Sequence, residues 1–142
     1  MKSRGLLDTG PLVAFIDRAD GFNGWAVETL QRFEAPIDTC DAVITEAWHL
    51  LGRAKRGRET LIGLLNSRNL QTTFSLAGDG LPALKLMTKY SDQPMSVADA
   101  CLVRMAELDG RATIITLDDD FSVYRRGRAA LRLAAPFSAS ED

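Results

Sequence analysis

The stretch Ala112-Thr113-Ile114-Ile115-Thr116-Leu117-Asp118 combines β-branched and apolar residues and ends on a carboxylate. Such a run is typical of an interior strand of a parallel sheet, because that strand is buried on both faces. A buried carboxylate is unfavourable unless it is paired or bound to a cation. The stretch therefore predicts a central strand whose carboxyl end carries Asp118.

Short apolar strands alternate with helices along the rest of the chain. Strands are predicted at residues 5–8, 36–39, 71–74, 112–117 and 130–134, and helices at 11–16, from 23, from 41, at 59–66, 81–90, 97–108 and 121–124. This alternation favours an α/β domain with a mainly parallel sheet. The helix from Asp41 is expected to pack through Val43, Ile44, Ala47, Trp48, Leu50 and Leu51.

The bulk composition bounds the class of protein. At 142 residues the chain is expected to form one domain, 1–142, with a flexible tail at about 138–142. The net charge of −2, from 17 basic and 19 acidic residues, argues against a histone-like nucleic-acid binder. No apolar leader or membrane-length run is visible, and Cys40 and Cys101 are interpreted as reduced core thiols. These features predict a cytoplasmic protein.

Three further acidic residues share the apolar setting of Asp118, namely Asp8, Glu46 and Asp99. Each has a structural interpretation alone: Asp8 as a helix cap, Glu46 as a solvated helix position, Asp99 as a charge near a helix N-terminus. Asp118 similarly begins an aspartate-rich turn. Ligands bind at the carboxyl ends of parallel strands. If the four acids converge at that edge, a metal site explains them best.

The donor types indicate which metal and which chemistry to expect. Carboxylate oxygens suit Mg²⁺ or Mn²⁺, and a metal so held activates water and neutralises phosphoryl charge. One histidine and two scattered cysteines do not build a typical zinc site. His49 lies among bulky apolar residues without a G-x-S-x-G turn, so a structural or surface role is favoured over a nucleophilic triad.

Two basic clusters and two threonines are candidate substrate contacts. The basic clusters are Arg53, Lys55, Arg56 and Arg58, then Arg125, Arg126, Arg128 and Arg132. Both can hold a phosphate backbone beside the acids, although either can be an ordinary solvated helix end. The hydroxyls of Thr9 and Thr116 can bond metal-bound water or phosphate, or only satisfy turn backbone groups.

Four segments of the chain together resemble a PIN-domain ribonuclease, most closely the VapC-type toxins of bacterial type II toxin–antitoxin systems. They are Leu6-Leu7-Asp8-Thr9-Gly10-Pro11-Leu12-Val13, Ile44-Thr45-Glu46-Ala47-Trp48, Ser96-Val97-Ala98-Asp99-Ala100 and Ile114-Ile115-Thr116-Leu117-Asp118-Asp119-Asp120-Phe121. The last two in that order are the more specific, and the resemblance covers almost the whole chain.

The resemblance implies a fold, a reaction and a set of site residues. The fold would be a PIN-like α/β/α sandwich with a central parallel sheet. The reaction would be endonucleolytic cleavage of RNA (tRNA, rRNA or mRNA) with Mg²⁺, or Mn²⁺, by a metal-activated water. Asp8 and Asp99 would be the principal metal ligands, Glu46 would complete the site, and Asp118, or alternatively Asp120, would be the fourth acid. Thr9, Thr116, Arg125, Arg126 and Arg128 are the expected substrate contacts.

The resemblance also implies partners, and other functions remain open beside the toxin. Members of this class are usually homodimers and are inhibited by a VapB-type antitoxin whose C-terminal segment occupies the groove near the acids. The alternative is a solitary, non-toxic PIN-domain protein for RNA processing or RNA binding. A HAD-like phosphatase is disfavoured, since it needs a second aspartate where Gly10 stands. A pure interaction module would use the acids only as helix caps.

Overall fold

The computed structural model describes residues 2–137, without the side chain of Asp79. The predicted tail at 138–142 lies outside the described residues. No helix in the described part of the chain is long and apolar enough to cross a bilayer.

The centre of the molecule is a five-stranded sheet in which every pairing is parallel. Its strands are β1 (Ser3–Leu7), β2 (Phe33–Cys40), β3 (Leu70–Phe74), β4 (Thr113–Ile115) and β7 (Leu133–Ala134), in the spatial order β3-β2-β1-β4-β7. A separate antiparallel hairpin joins β5 (Arg125–Arg126) to β6 (Ala129–Ala130). The predicted α/β class with a mainly parallel sheet is confirmed.

Six α-helices flank the sheet in the described residues. They are α1 (Thr9–Ile16), α2 (Asn23–Leu30), α3 (Asp41–Leu50), α4 (Gly57–Asn66), α5 (Leu76–Lys89) and α6 (Val97–Leu108). Two short 3₁₀ turns, Leu51–Arg53 and Asp119–Ser122, follow α3 and β4. The predicted helix at 121–124 is this second turn, displaced by two residues.

The core surrounds the two central strands, β1 and β4. Leu6 and Ile114 pair across them and both are fully buried, as expected for strands covered on both faces. Helix α6 packs on the sheet with most of its length buried and confirms the helix predicted at 97–108. It begins with a capping box in which the Ser96 hydroxyl accepts from the Asp99 N–H and the Asp99 carboxylate accepts from the Ser96 N–H.

The predicted buried face of α3 includes residues that are in fact exposed. Val43, Ala47 and Leu51 are buried at four-residue spacing, but Trp48 is 42% and Leu50 is 52% exposed. A stripe with that spacing is narrow, because successive members are separated by slightly more than one helical turn. The two large apolar side chains therefore fall on the flanks of the helix.

Two boundaries in the second half of the chain differ from the prediction. The segment 130–134 is two strands, because Ala129–Ala130 pairs in the hairpin before Leu133–Ala134 joins the sheet. Gly127 makes the hairpin turn with φ +62°, a conformation that suits glycine. Helix α5 starts five residues before the predicted 81, since Ser75 caps it and Pro82 is accommodated inside.

Candidate metal centre

A cleft of about 550 Å³ lies at the carboxyl ends of β1 and β4. Asp8 follows β1 directly, and Asp118 follows β4 by three residues. Residues from α1, α3, the N-terminal end of α6 and the turn after β4 complete its lining: Asp8, Thr9, Gly10, Glu46, Leu50, Pro94, Ser96, Asp99, Leu117, Asp118 and Asp119. The four acids singled out from the sequence therefore come together from four separate segments.

Asp8 is deeply placed in the cleft, with only 7% of its surface exposed. Its carboxylate accepts one hydrogen bond from the backbone N–H of Thr9 at 2.8 Å and another from the Thr116 hydroxyl at 2.7 Å. Burial nevertheless raises the pKa of Asp8 to about 7, and the charges of Asp99 and Asp118 act in the same direction. The ionised form is thus disfavoured in the protein alone.

Asp99 is equally buried and is held by the start of α6. Its Oδ2 accepts from the Ser96 backbone N–H at 3.3 Å, and the buried Tyr124 hydroxyl lies 3.5 Å from the same oxygen. Burial raises the pKa of Asp99, hydrogen bonds from Ser96 oppose this, and the charges of Asp118 and Glu46 add to the increase. A cap at a helix N-terminus normally favours the charged form, so here the neighbouring acids and burial outweigh it.

Glu46 reaches the cleft from the exposed flank of α3. The Thr9 hydroxyl donates to its Oε1 at 2.5 Å, which ties α1 to α3 across the cleft. Thr116 makes the matching bond to Asp8 and is fully buried, and its oxygen also accepts from the Asp118 N–H at 2.9 Å. Both threonine hydroxyls are therefore engaged in orienting carboxylates, and Thr116 has no exposed surface for a substrate. Substrate contact by Thr9 and Thr116 stays a prediction.

The turn after β4 contains three consecutive aspartates, and the structure distinguishes them. Asp118 lines the cleft, caps the 3₁₀ turn by accepting from the Asp120 N–H, and its charge reaches both Asp8 and Asp99. Asp119 is exposed and also lines the cleft, whereas Asp120 does not. Each of the three has a carboxylate oxygen within 4.8 Å of the other two. The geometry favours Asp118 over Asp120 as the fourth acid.

No protein cation neutralises these acids within residues 2–137. The ion pairs there lie elsewhere: Arg4 with Asp38 and Asp109, Arg56 with Glu59, and Arg104 with Glu107. A buried, unpaired carboxylate favours protonation or a bound cation. The donors are oxygens, as Mg²⁺ and Mn²⁺ prefer. The chemistry of the donors in the cleft therefore fits a hard divalent cation.

None of the three predicted substrate-binding arginines of the second basic cluster lines the cleft. The Arg125 guanidinium donates to the carbonyls of Ser122, Val123 and Tyr124, at 2.7 to 3.2 Å. A Cβ on Gly110 would lie 2.8 Å from Nη1 of Arg126, so Arg126 covers the C-terminal end of α6. That twelve-residue helix is about 18 Å long, and the acids are at its other end. Arg128 is exposed in the hairpin turn, and substrate binding by all three stays a prediction.

Two residues that line the cleft, Ser96 and Asp119, and one that contacts Asp99 from the core, Tyr124, were not predicted as site residues. Ser96 precedes the predicted helix 97–108, Asp119 belongs to the aspartate-rich turn, and Tyr124 ends the predicted short helix 121–124. Tyr124 is fully buried against Phe121 and Tyr90 with edge-to-face ring contacts at 5.4 and 5.0 Å. Burial and the Asp99 charge raise the pKa of its phenol. Its distance of 25 residues from Asp99 leaves no local signal for this contact.

A comparison with known proteins identifies the family of this chain. A model of the PIN domain matches residues 5–127, which include all four acids. The chain belongs to the PIN-domain family. Its PIN domain therefore has a nuclease fold, and the acidic cleft is the part of that fold where the predicted site residues gather.

A solved structure agrees with this assignment. The crystal structure of VapC20 from Mycobacterium tuberculosis, a sarcin-ricin loop cleaving toxin, is similar to this chain with a TM-score of 0.74. The likeness covers 84% of this chain and 93% of that one, at 21% sequence identity, so it concerns the fold. No curated protein matches the sequence significantly.

Proposed function

We propose that this chain is a Mg²⁺- or Mn²⁺-dependent endoribonuclease. The observation that carries the proposal is the set of four acids, drawn from four segments, that lines one cleft and has no protein cation paired with it among residues 2–137. Burial and mutual repulsion raise the pKa values of Asp8 and Asp99, as expected for ligands that need a metal to stay ionised. PIN-domain membership supports nuclease chemistry over the interaction-module alternative.

The proposal gives each acid a role. Asp8 and Asp99 are the principal metal ligands, since they are the most buried and are held in place by Thr116 and Ser96. Asp118 is the fourth acid, and Glu46 orients the attacking water from its exposed position on α3. When bound, the metal lowers the pKa of water and neutralises charge on the scissile phosphate. The protein supplies the fixed orientation of the carboxylates.

Thr9 and Thr116 act in this proposal by positioning the acids. Metal ligands are generally oriented by hydrogen bonds from surrounding groups, and loss of such a bond weakens metal affinity about 10- to 100-fold. Thr116 donates to Asp8 and Thr9 donates to Glu46. Both hydroxyls are thereby engaged before any substrate arrives.

We further propose that the RNase is the toxin of a toxin–antitoxin pair. The support is the fold shared with VapC20, itself a toxin, and a second cavity whose lining includes Leu7, the residue before Asp8. This cavity of about 320 Å³ is mostly apolar and is lined by Leu7, Leu12, Phe15, Val27, Leu30, Gln31, Phe33, Ala35, Ile37, Leu64, Asn69 and Leu70. A VapB-type partner is expected to place apolar side chains there and its terminal segment near the acids. The active form is expected to be a cytoplasmic homodimer.

The deciding experiment is cleavage of total tRNA and rRNA in Mg²⁺, Mn²⁺ or EDTA by wild type and Asp99→Asn. We expect discrete metal-dependent products from wild type and a loss of at least about 100-fold in Asp99→Asn. The asparagine keeps an acceptor for the Ser96 N–H, so the capping box survives. Glu28→Gln, on the exposed face of α2, is the matched control. Cleavage that persists in EDTA or in Asp99→Asn contradicts the proposal.

Toxicity needs its own measurement, because a solitary RNA-processing PIN protein would also cleave RNA. We expect induced wild type to arrest growth of a bacterial host, and Asp99→Asn at equal abundance to leave growth unchanged. Growth arrest by both proteins would point to a toxic effect unrelated to the acids. Absence of arrest with retained cleavage in vitro would favour the non-toxic alternative.

A further inference from the structure

An exposed aromatic and basic surface lies at the C-terminal end of α3, outside the acidic cleft. We define it as the Trp48 surface: Trp48, Arg53, Lys55, Arg56 and Arg58. Trp48 was expected in the core, yet 42% of it is exposed. Single exposed apolar side chains are common on protein surfaces, so a contact at Trp48 is inferred from the arginine held against it and from the basic residues around it.

Trp48 and Arg58 are held together in a fixed arrangement. The Arg58 guanidinium carbon lies 4.8 Å from the centre of the indole ring, and its Nε donates to the Trp48 carbonyl at 2.8 Å. Gly52 leaves the necessary space, since a Cβ there would lie 2.9 Å from Arg58 Nη2. The arginine therefore covers one part of the ring and leaves the rest open to solvent. Both groups are planar and can stack on a nucleobase.

The segment that carries this surface is basic, whereas the rest of the chain has a negative net charge. Residues 47–58 contain four Lys or Arg and no Asp or Glu, a charge of +4. Because the whole chain has a net charge of −2, the remainder carries −6. Arg56 pairs with Glu59 at 3.0 Å, but both side chains are well exposed, so this pair is weak. A polyanion is therefore attracted to this part of an otherwise acidic protein.

The surface and the cleft share one helix. Glu46 and Leu50 are four residues apart and both line the cleft, whereas Trp48 is two residues from each. At 100° per residue, Trp48 projects about 200° around α3 from Glu46, on the opposite flank. A helix with its side chains is about 10–12 Å across. Around the solvent side of α3 the path from Glu46 to Trp48 is about half the circumference, roughly 16–19 Å, which an extended RNA strand spans in a few nucleotides.

From these contacts we propose that the Trp48 surface binds single-stranded RNA beside the cleft by stacking an unpaired base on Trp48 and Arg58. Arg53, Lys55 and Arg56 hold the flanking phosphates. The inference rests on the proposed function for its substrate class, and it adds a preference for RNA whose bases are unstacked next to the cleaved bond. Base stacking on an exposed aromatic is tolerant of sequence, so the surface selects single strands rather than a particular base.

The test measures binding in EDTA, where the proposed nuclease does not act, with Trp25→Phe as the background. Trp48 is then the only tryptophan, and its fluorescence reports the surface directly. The probes are a short oligoadenylate and an abasic oligomer with the same number of phosphates. We expect the oligoadenylate to quench Trp48 and the abasic oligomer to bind more weakly without quenching. Equal quenching by both oligomers, or no binding of the oligoadenylate, overturns the proposal.

Variants separate stacking from charge. In protein that retains Trp25, Trp48→Ala is expected to weaken oligoadenylate binding about 5- to 150-fold, as for loss of one stacked base. Trp48→Phe is expected to keep most of the affinity, and Arg58→Lys to lose part of it although the charge is unchanged. Affinity in Trp48→Ala equal to that of wild type refutes the proposal.

Three further outcomes are distinguishable. Trp48 fluorescence that depends on protein concentration without RNA would assign the surface to a second copy of the chain and overturn the proposal. If wild type cleaves no RNA but Trp48 still stacks on the oligoadenylate, the nuclease proposal fails and this one stands. If cleavage and binding are both present and unaffected by Trp48→Ala, the nuclease proposal stands and the Trp48 proposal fails.

Discussion

Replacement of Asp8 by asparagine is expected to stabilise the metal-free protein at neutral and alkaline pH. Asp8 is 7% exposed, and burial raises its pKa to about 7. Asparagine has nearly the same shape, keeps an acceptor for the Thr9 N–H, and carries no charge. The variant therefore removes the cost of a buried, unpaired carboxylate.

The size and pH dependence of the effect follow from the pKa. The ordinary pKa is 3.8, so the folded value is higher by about 3 units, or about 4 kcal/mol at 1.36 kcal/mol per unit. The folded state binds the extra proton between pH 4 and pH 7, so wild-type stability falls as the pH rises through that window and levels off above it. The advantage of Asp8→Asn should be near zero at pH 4 and as much as about 4 kcal/mol at pH 8.

Urea denaturation in EDTA between pH 4 and pH 8 measures this directly as the free energy of unfolding. Glu28→Gln, on the exposed face of α2, should stay within about 0.5 kcal/mol of wild type throughout. A constant difference between Asp8→Asn and wild type across the pH range would refute the reasoning. So would a lower stability of Asp8→Asn at pH 8.

Addition of metal should reduce the stability advantage of Asp8→Asn at pH 8. A ligand that binds only the native state stabilises it by about 2.7 kcal/mol at 100 times its Kd. Mn²⁺ at saturating concentration should therefore raise wild-type stability at pH 8 and raise that of Asp8→Asn much less. Equal stabilisation of both proteins would contradict the assignment of Asp8 as a metal ligand.

Three further variants test other parts of the structure. Thr116→Val removes the hydroxyl that orients Asp8, so Mn²⁺ affinity measured by calorimetry should fall about 10- to 100-fold while the far-UV circular dichroism is unchanged. Asp118→Asn should lower the rate of RNA cleavage at saturating RNA much more than Asp120→Asn, because Asp118 lines the cleft and Asp120 does not. Gly57→Ala should lower the free energy of unfolding in urea by about 1–3 kcal/mol, since its Cβ would lie 2.9 Å from the Ala54 Cβ.

The fold was predictable to the extent that local patterns determine it. The β-branched run 112–117 and the Ser96 cap each specify a local conformation, and parallel topology then brings strand ends to one edge. That is why convergence of Asp8 and Asp118 could be anticipated without a structure. Helix positions on the flanks of α3 were not predictable, because an apolar residue there is stable either buried or exposed, and tertiary packing decides.

The contacts that orient the acids were beyond local reasoning. Thr116 bonds to Asp8 across 108 residues, Thr9 to Glu46 across 37 and Tyr124 to Asp99 across 25. A threonine or tyrosine in an apolar segment has many possible partners, and sequence spacing does not select among them. Proximity in sequence can also mislead. Arg125, Arg126 and Arg128 are close to Asp118 in sequence, but Arg126 covers the C-terminal end of α6, far from the cleft.

The hydrogen bonds that position the acids also stabilise their ionised forms. They therefore partly offset the repulsion between the carboxylate charges. Thr116 and the Thr9 N–H stabilise the ionised form of Asp8, and without them burial would raise its pKa further. They do not offset burial completely, which leaves the metal-free protein less stable at neutral pH than an uncharged version of itself. The cation that we propose would offset this cost by pairing with the buried charge. A variant that removes the charge of Asp8 is therefore expected to be more stable without metal and to bind metal more weakly.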